Sequence, residues 1–353
     1  MKERADTLLF DIAVMKLLIC TQAVDKEDPI LGFFHGWIKE LAKHFESIHV
    51  ICLKEGIHTL PENVRVYSLG KESGENRLKY ILRFYSYVWK LRGTYTRIFI
   101  HMNPHYILLS GLYWKLSRIP IFFWRNHAQM NLMTRIAAML SKRVMFTSPF
   151  ACMSVYAHGI QMPVGIDTKL FNADGERTSR DTHTKRILFL GRLSPVKRAE
   201  IYVEAARYLQ HGYEFHLYGN DPLREQKYFE TLKKMSGTNV FFHPAIKNNE
   251  TPDIYRAFDV YVNLTPEGSM DKTVLEAASC GVSILVSNTS FSNILHPSSL
   301  VPTVSGEELA QKISAMANLS QENKKKYSMY AQENITARHS LEKLATALYS
   351  YMK

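Results

Sequence analysis

Two stretches of the sequence place a glycine and polar side chains between an apolar strand and the start of a helix. In ILFLGRLSPVKRAEIYVEAARYL, residues 187–209, Gly191 follows the strand and permits a tight turn, and Arg192 and Lys197 flank the loop. Unpaired N–H groups at a helix N-terminus, together with two cations, favour a diphosphate. The stretch therefore predicts stabilisation of a phosphate leaving group, with a surface turn and solvated cations as the alternative.

The second stretch, DVYVNLTPEGSMDKTVLEAASCG at residues 259–281, leads from a buried strand through a glycine-containing loop into a helix. The backbone N–H groups from Ser269 to Thr273 are predicted to point outward as a cradle for an anion. Glu276 lies one turn inside the helix, where its carboxylate could accept hydrogen bonds from ribose hydroxyls. The alternative is that Glu276 is an ordinary exposed helix residue.

Polar residues also follow predicted strands in the N-terminal half. His127 comes after the apolar run IFFW, and His101 and Asn103 follow a predicted strand at residues 97–100. A neutral imidazole at such an edge could bind a sugar hydroxyl or steady developing charge. A structural histidine with satisfied hydrogen bonds is the alternative at both positions. Pro104 lies between His101 and His105, which argues against a metal pair there.

These residues belong to an alternation of short apolar strands and amphipathic helices. The pattern indicates parallel sheets covered on both faces, with ligands at the carboxyl ends of the strands. A polar, turn-rich segment that begins near Gly165 separates two such units. We therefore predict an α/β protein with two Rossmann-like domains facing a cleft. The predicted parts are an extension at 1–14, a first domain at 15–168, a linker at 169–185, a second domain at 186–340, and a helix at 341–353 that could pack back on the first domain.

Composition agrees with a folded, two-domain chain. The length of 353 residues fits two domains of about 100–200 residues each, and 46% hydrophobic residues suffice for two cores. The four cysteines form no C-x-x-C pair, which argues against structural zinc and favours a reducing, cytoplasmic compartment. No stretch approaches the roughly 20 apolar residues of a membrane span, and the first residues do not resemble a signal peptide.

The net charge of +11 is concentrated in the N-terminal half. Between Arg77 and Ile166 there are twelve lysines and arginines and no acidic residue. Such a charge distribution favours a lipid surface, a phosphorylated acceptor or nucleic acid, and the alternative is a solvated surface. Aromatic residues interleave with cations in one predicted helix of this region, which suggests peripheral attachment to the inner face of a membrane unless these rings form the core side of the helix. They are Tyr80, Phe84, Tyr85, Tyr87 and Trp89.

The motifs GRLSPVKR and GSMDKTVLEAASCG, at this separation, resemble those of the retaining glycosyltransferases of family 4. VGIDTKLF at 164–171 is similar to the linker signature of that family, and DPILGFFHGWIKELAKHF at 28–45 to its first loop and helix. The resemblance implies the GT-B fold, an acceptor site in the first domain and a nucleotide-diphosphate-sugar donor on the second. It also implies a retaining, metal-independent hexosyltransferase that uses no further cofactor.

The resemblance assigns roles residue by residue. Arg192 and Lys197 would hold the donor diphosphate, Glu276 would bind ribose, and His127 would lie near the reacting sugar. Gly32 would let the backbone approach the donor phosphate and the acceptor. Gly191 is a further implied donor contact, and Ala245 and Ile246 would receive the base. The remaining implied donor contacts are the loop residues Gly268, Ser269, Met270, Asp271, Lys272 and Thr273. His101, Asn103 and Glu267 are candidate contacts to the acceptor or the sugar.

One departure concerns a glutamate that this family often has eight positions before the ribose-binding glutamate. Gly268 stands at that position here, and Glu267 comes one residue early. Either the loop bulges so that Glu267 still reaches the sugar, or the role of this glutamate is lost. GSMDKT resembles a branch in which Asp271 and Lys272 line the loop instead.

The sequence thus predicts transfer of a sugar to a hydroxyl of a glycan, a lipid-linked molecule or a small molecule. A nucleotide-dependent oxidoreductase is less favoured because CTQAVDKEDP, not G-x-G-x-x-G, follows the first strand. A non-catalytic nucleic-acid- or anion-binding α/β protein is suggested only by the basic aromatic helix, and no nucleic-acid motif accompanies it. No lysine segment suits a pyridoxal-phosphate phosphorylase.

Overall fold

The first domain is built on a parallel sheet of seven strands in the order β3-β2-β1-β4-β5-β6-β7. The computed structural model describes residues 15–174, 183–220, 225–268, 270–301 and 305–353, so the predicted extension, much of the predicted linker and Ser269 lie outside it. The strands are β1 (Lys16–Val24), β2 (Ser47–Glu55), β3 (Val64–Ser68), β4 (Arg97–His101), β5 (Ile121–Trp124), β6 (Arg143–Phe146) and β7 (Gly159–Gln161). The strand order reverses beside β1, which pairs with both β2 and β4. A crevice for ligands is expected at that point of a parallel sheet.

Two helical layers cover this sheet. The helices of the domain are α1 (Gly32–Leu41), α2 (Arg77–Lys90), α3 (His105–Leu116) and α4 (Leu132–Leu140). The side chains of β1 alternate between the two layers, with Leu17 and Ile19 packed in the core beneath α1 and Leu18 and Cys20 in the core beneath α2 and α3. Burial of both strand faces explains why the strands are continuous apolar runs.

The second domain repeats the design with a parallel sheet of five strands in the order β10-β9-β8-β11-β12. Its strands are β8 (Lys185–Leu190), β9 (Tyr213–Asn220), β10 (Val240–Pro244), β11 (Val260–Asn263) and β12 (Ser283–Val286). Its helices are α5 (Ala199–Ala206), α6 (Gln226–Met235), α7 (Thr251–Arg256), α8 (Lys272–Ser279), α9 (Gly306–Ala317) and α10 (Gln321–His339). Both predicted parallel α/β units are therefore confirmed.

The end of the chain crosses back to the first domain. Helix α11 (Leu341–Met352) packs against α1, and its residues Leu344 and Leu348 belong to the core beneath α1. The backbone N–H of Leu341 donates to the carbonyl of Ile166 over 2.7 Å, and the N–H of Gly165 donates to the carbonyl of His339 over 3.0 Å. The segment that joins the domains is therefore bonded to the α10–α11 junction.

Candidate active site

The first part of the site is the turn after β8, where Gly191 meets the end of β9. Gly219 has a φ of +119°, and a Cβ at this position would lie 2.2 Å from the carbonyl oxygen of Gly191. Only glycine permits this close approach of two backbones. Arg192 is exposed immediately after the turn, and Lys197 ends a short 3-10 turn that precedes α5. The predicted pair of cations thus stands at the carboxyl edge of the sheet.

A buried polar network connects Lys197 to the loop before α8. The Lys197 ammonium forms an ion pair with the carboxylate of Asp271. The same carboxylate accepts hydrogen bonds from the Asn263 amide over 3.0 Å and from the Thr265 hydroxyl over 2.7 Å. Burial acts to raise the pKa of Asp271, but the Lys197 charge and these hydrogen bonds outweigh it and hold the pKa below its ordinary value. Asp271 is therefore an anion that positions Lys197.

The ion pair between Asp271 and Lys197 explains why the N-terminus of α8 has no side-chain cap. Asp271 is the N-cap residue of α8, yet its side chain makes no capping hydrogen bond because the carboxylate is turned towards Lys197. The Thr273 hydroxyl instead accepts a hydrogen bond from Tyr261 over 2.8 Å, and Met270 is buried. The first N–H groups of α8 thus have no side-chain cap and remain suited to an anion.

Gly268 brings the two domains into contact at this loop. Its φ is +114°, and a Cβ there would lie 2.4 Å from the Cβ of Ala128, in the loop that follows β5. Ala128 is the neighbour of His127, so the loop before α8 faces the loop that carries this histidine. Contact at Gly268 therefore requires a residue without a side chain.

Glu276 lies inside the protein rather than on an exposed helix face. It is 4% exposed, and its carboxylate accepts hydrogen bonds from the Asn248 amide over 3.3 Å and the Tyr255 hydroxyl over 3.4 Å. Burial raises the pKa of Glu276, although the Lys272 charge and the two donors oppose this. A carboxylate held by few donors in a dry environment retains free acceptor capacity for a hydroxyl.

The loop predicted to receive the base lies beside Glu276. Ala245 and Ile246 follow β10, and Asn248, which donates to Glu276, comes two residues later. Lys247 in the same loop forms an ion pair of 2.9 Å with Glu27 of the first domain. The structure therefore brings together the turn after β8, the N-terminus of α8, Glu276 and the 245–248 loop.

Lys272 is directed elsewhere, to the junction between the domains. Its ammonium donates to the carbonyls of Val164 over 2.6 Å and Gly165 over 2.9 Å, and lies 4.6 Å from the ring centres of both Phe33 and Trp37. Burial lowers the pKa of Lys272 to about 7, and the Glu276 carboxylate one turn away opposes this. The structure does not bring Lys272 to Arg192 and Lys197.

The predicted residues of the first domain divide into exposed and buried positions. His127 is exposed, and its Nδ1 accepts a hydrogen bond from the N–H of Gln129 over 3.1 Å. His101 is 2% exposed, stacks on Phe34, and shares a hydrogen bond of 3.1 Å with Thr21. Burial, aided by the Lys272 charge, lowers the pKa of His101 to about 3 and keeps the ring neutral.

Three further predicted residues have local partners. Asn103 accepts hydrogen bonds from the N–H and ring of His105 at the start of α3. Gly32 is the first residue of α1 rather than part of the preceding loop, and a Cβ there would lie 3.0 Å from the Lys26 carbonyl oxygen. Glu267 is exposed and accepts a hydrogen bond from the Thr289 hydroxyl. Its carboxylate is thus held at the loop after β12.

Sequence reasoning missed the residues that position these groups. Asn263 and Thr265 hold Asp271, while Asn248 and Tyr255 hold Glu276. A signal existed for Asn263, since a polar amide ends the otherwise apolar strand VYVN. Across the described residues, no group of three or more His, Cys, Asp or Glu could hold a metal ion. Within the same ranges, no helix combines the length and apolarity needed to cross a membrane.

Comparison with known proteins identifies a matching family model and similar solved structures. Residues 184–318 match the family model described as glycosyl transferases group 1. The structure of the Anabaena protein HepE in complex with UDP and glucose is similar, with 16% identity, a TM-score of 0.72, and coverage of 96% of this chain and 99% of that chain. Sucrose-phosphate synthase from Thermosynechococcus elongatus has 16% identity and a TM-score of 0.73, with 96% and 98% coverage. No curated protein matches the chain by sequence.

The chain has the GT-B fold. The likeness to these structures covers 96% of this chain and so includes both parallel-sheet domains. The residues that match the family model lie in the second domain, which carries Arg192, Lys197 and Glu276. Together these findings support a glycosyltransferase of the GT-B type.

Proposed function

We propose that this protein is a retaining, metal-independent hexosyltransferase of family 4, which transfers a sugar from a nucleotide-diphosphate donor to a hydroxyl group. The observation that carries the proposal is the convergence of Arg192, Lys197, the uncapped N-terminus of α8 and buried Glu276 at one sheet edge. The motifs GRLSPVKR and GSMDKTVLEAASCG support retention through their resemblance to that family.

Donor binding follows from the chemistry of these groups. Arg192 and Lys197 supply two cations for the diphosphate, and the first N–H groups of α8 add hydrogen bonds and the positive end of the helix dipole. Glu276 accepts the ribose hydroxyls, and the backbone at Ala245 and Ile246 meets the base. Gly268, Met270 and Thr273 of the loop before α8 would contact the diphosphate and the sugar. A solved relative that binds UDP and glucose is consistent with such a donor.

Catalysis in this proposal is mainly electrostatic. Negative charge develops on the diphosphate as the bond to the sugar breaks, and preorganised cations stabilise that charge more than they stabilise the donor. Asp271 holds Lys197 in position before the donor arrives. The acceptor hydroxyl attacks the face from which the diphosphate leaves. His127 precedes Ala128, the residue that meets Gly268, and would contact the sugar from there.

The contact between the His127 loop and Gly268 supports a closed arrangement during transfer. A Cβ at Gly268 would overlap Ala128, so the two loops touch across the cleft. Closed loops exclude water, which protects the donor from hydrolysis. His101, Asn103 and Glu267 remain candidate contacts to the acceptor or sugar. The proposed acceptor is a glycan, a lipid-linked molecule or a small molecule rather than a nucleic acid.

Stereochemistry and metal dependence test the proposal in one experiment. The protein is incubated in EDTA with UDP-, GDP- and ADP-hexoses, and hexose released or transferred is followed by NMR. We expect activity with one donor and a product of the same anomeric configuration as the donor sugar. An inverted product would contradict retention. Activity lost in EDTA and restored by Mn²⁺ or Mg²⁺ would contradict the metal-free mechanism.

A further inference from the structure

Helix α4 exposes a face that is almost entirely apolar. Its exposed positions are Leu132, Met133, Arg135, Ile136 and Met139. Leu132 and Met139 are 71% and 72% exposed, as much as charged side chains usually are. Scattered apolar residues are normal on a soluble surface, but a helix whose outer face holds four of them and one cation indicates contact with a non-aqueous partner.

Helices α2 and α3 extend this face on the same side of the sheet. The Tyr85 hydroxyl of α2 donates to the Leu109 carbonyl of α3 over 3.1 Å, and Gly111 of α3 packs against Leu140 of α4. The three helices therefore form one layer, whose exposed residues are called the α2–α4 face. Its large apolar side chains outside α4 are Leu78, Ile81, Leu82, Tyr85 and Trp89 on α2, and Leu112, Tyr113 and Leu116 on α3.

The exposed stripe differs from the aromatic set suggested by the sequence. Phe84 is buried, and Tyr80 and Tyr87 are partly buried and pack against the core beneath α2 and α3. Of that set, Tyr85 and Trp89 are exposed. Together with exposed Leu78 and Leu82 they are spaced four, three and four residues apart from Leu78 to Trp89. This spacing is one continuous stripe along a helix.

Cations surround the apolar side chains. The ends of α3 and α4 line an open cavity of about 220 Å³ with Lys115, Arg118 and Lys142 at its surface and apolar Met139 and Leu140 in its wall. Arg92 lies over the Trp89 ring at 4.2 Å. No acidic residue occurs anywhere from Arg77 to Ile166. An apolar surface edged by cations suits an interface of acyl chains and phosphate headgroups.

We propose that the α2–α4 face docks the protein on an anionic phospholipid bilayer, with a lipid phosphate in the cavity beside Lys115 and Lys142. A second copy of the chain fits this surface poorly, because a two-fold contact would place cations against cations. The face reaches the cleft, since α4 begins five residues after His127. Docking would therefore present the cleft to a lipid-linked acceptor. Only this last step rests on the proposed function.

Co-sedimentation of the full chain with vesicles tests the proposal. Phosphatidylcholine vesicles with and without phosphatidylglycerol are compared at low and high salt. We expect binding that increases with phosphatidylglycerol and decreases with salt. The double variant L132S/M139S removes apolar contacts, and R135E/K142E reverses charge. Each should weaken vesicle binding by at least about tenfold, since the first removes contact with acyl chains and the second replaces attraction to anionic headgroups by repulsion.

The matched control is M329S/K325E on α10, which alters an exposed methionine and an exposed lysine far from the face. It should bind vesicles like the unmodified chain. A protein that stays in the supernatant, or face variants that bind as well as the control, would overturn the proposal. So would a dimer in sedimentation velocity that the face variants dissociate, because the face would then join two copies. Nucleotide affinity measured on the same variants should be unchanged, which separates this outcome from failure of the proposed glycosyl transfer.

Discussion

Glu276 is a buried carboxylate with two weak neutral donors, Asn248 and Tyr255. A buried acidic group normally acquires strong partners, because an unpaired charge in a dry environment is costly. At Glu276 the nearest cation is Lys272, one helical turn away, and the Lys272 ammonium donates to backbone carbonyls instead. This incomplete satisfaction is typical of a group that awaits hydroxyl donors from a ligand.

Replacement of this carboxylate should therefore weaken donor binding. We expect Glu276→Gln to lower affinity for the preferred nucleoside diphosphate about ten- to a hundredfold, because a hydrogen bond to a charged group is worth about 1.5–3 kcal/mol. The loss should be small for the 2′,3′-dideoxy analogue, which lacks the hydroxyls. Calorimetry with both ligands measures the difference, with Glu250→Gln as an exposed control. Equal losses for the two ligands would contradict a ribose contact.

For individual residues, the sequence predicted which residues belong to the site better than it predicted their hydrogen-bond and ion-pair partners. Arg192, Lys197 and Glu276 were singled out because they flank glycine turns and helix starts, which are local features of the chain. The attachment of Asp271 to Lys197, and of Lys272 to Val164, joins residues 74 and 108 positions apart. The first pairing depends on β8 and β11 being neighbours in the second sheet, and the second depends on how α8 packs against the segment between the domains, so no local pattern encodes them.

Helix α8 links the site to the segment between the domains. Its first residue, Lys272, binds the carbonyls of Val164 and Gly165 and packs on Phe33 and Trp37 of α1. The same helix carries Glu276 and presents its N-terminus to Lys197. A change in the relative position of the domains would therefore act on α8, and on Glu276 within it, through Lys272.

Removal of this contact should destabilise the protein. We expect Lys272→Ala to lower the free energy of unfolding by about 2–3 kcal/mol, because two buried carbonyls and the Glu276 carboxylate lose a partner. Urea denaturation measures the change. Lys312→Ala on the exposed side of α9 is the control and should change the stability by less than about 0.5 kcal/mol. A stability of Lys272→Ala equal to that of the control would show that the ammonium contacts contribute nothing.

The sequence predicted most elements but not all their limits. Helix α10 spans Gln321–His339, and its limits are hard to predict from sequence, because Ser320 caps its start and its polar residues give no apolar period to follow. Strand β7 was missed because it has only three residues and pairs with β6 alone at the sheet edge. Its short sequence carries no alternation, so only pairing identifies it as a strand.

Across the whole molecule, three histidines in different regions are held neutral. Burial lowers the pKa of His101 in the first domain to about 3, and that of His216 in the second domain and His339 at the junction to about 4. The ordinary value is 6.5. Below that pH the unfolded chain takes up protons that the folded chain refuses.

Stability should consequently fall as the pH drops below 6.5. For His101 alone, the free energy of unfolding is expected to be about 2 kcal/mol lower at pH 5 than at neutral pH. Each pH unit below the ordinary pKa of the histidine costs about 1.36 kcal/mol. His101→Asn retains a partner for Thr21 and cannot be protonated, so its stability should depend less on pH. Urea denaturation at pH 7 and pH 5 compares the two proteins. Parallel losses in both would show that His101 is not responsible.

The overall architecture was accessible from sequence because alternating apolar strands and helices are a repeated, local signal. The α2–α4 face was not, since exposure of Leu132 or Met139 depends on which side of α4 meets the sheet. The charge excess between Arg77 and Ile166 was visible, but not that apolar side chains lie among those cations on one surface.

In the proposed mechanism, Arg192 and Lys197 bind the diphosphate of a nucleotide sugar without a metal ion. Calorimetric titration in EDTA with UDP, GDP and ADP tests it directly. We expect the unmodified chain to bind one of them, and Arg192→Ala and Lys197→Ala each to bind it at least about tenfold more weakly. Lys233→Ala, an exposed control on α6, should bind it normally. Unchanged affinity in both site variants, or no binding of any nucleotide, would contradict this mechanism.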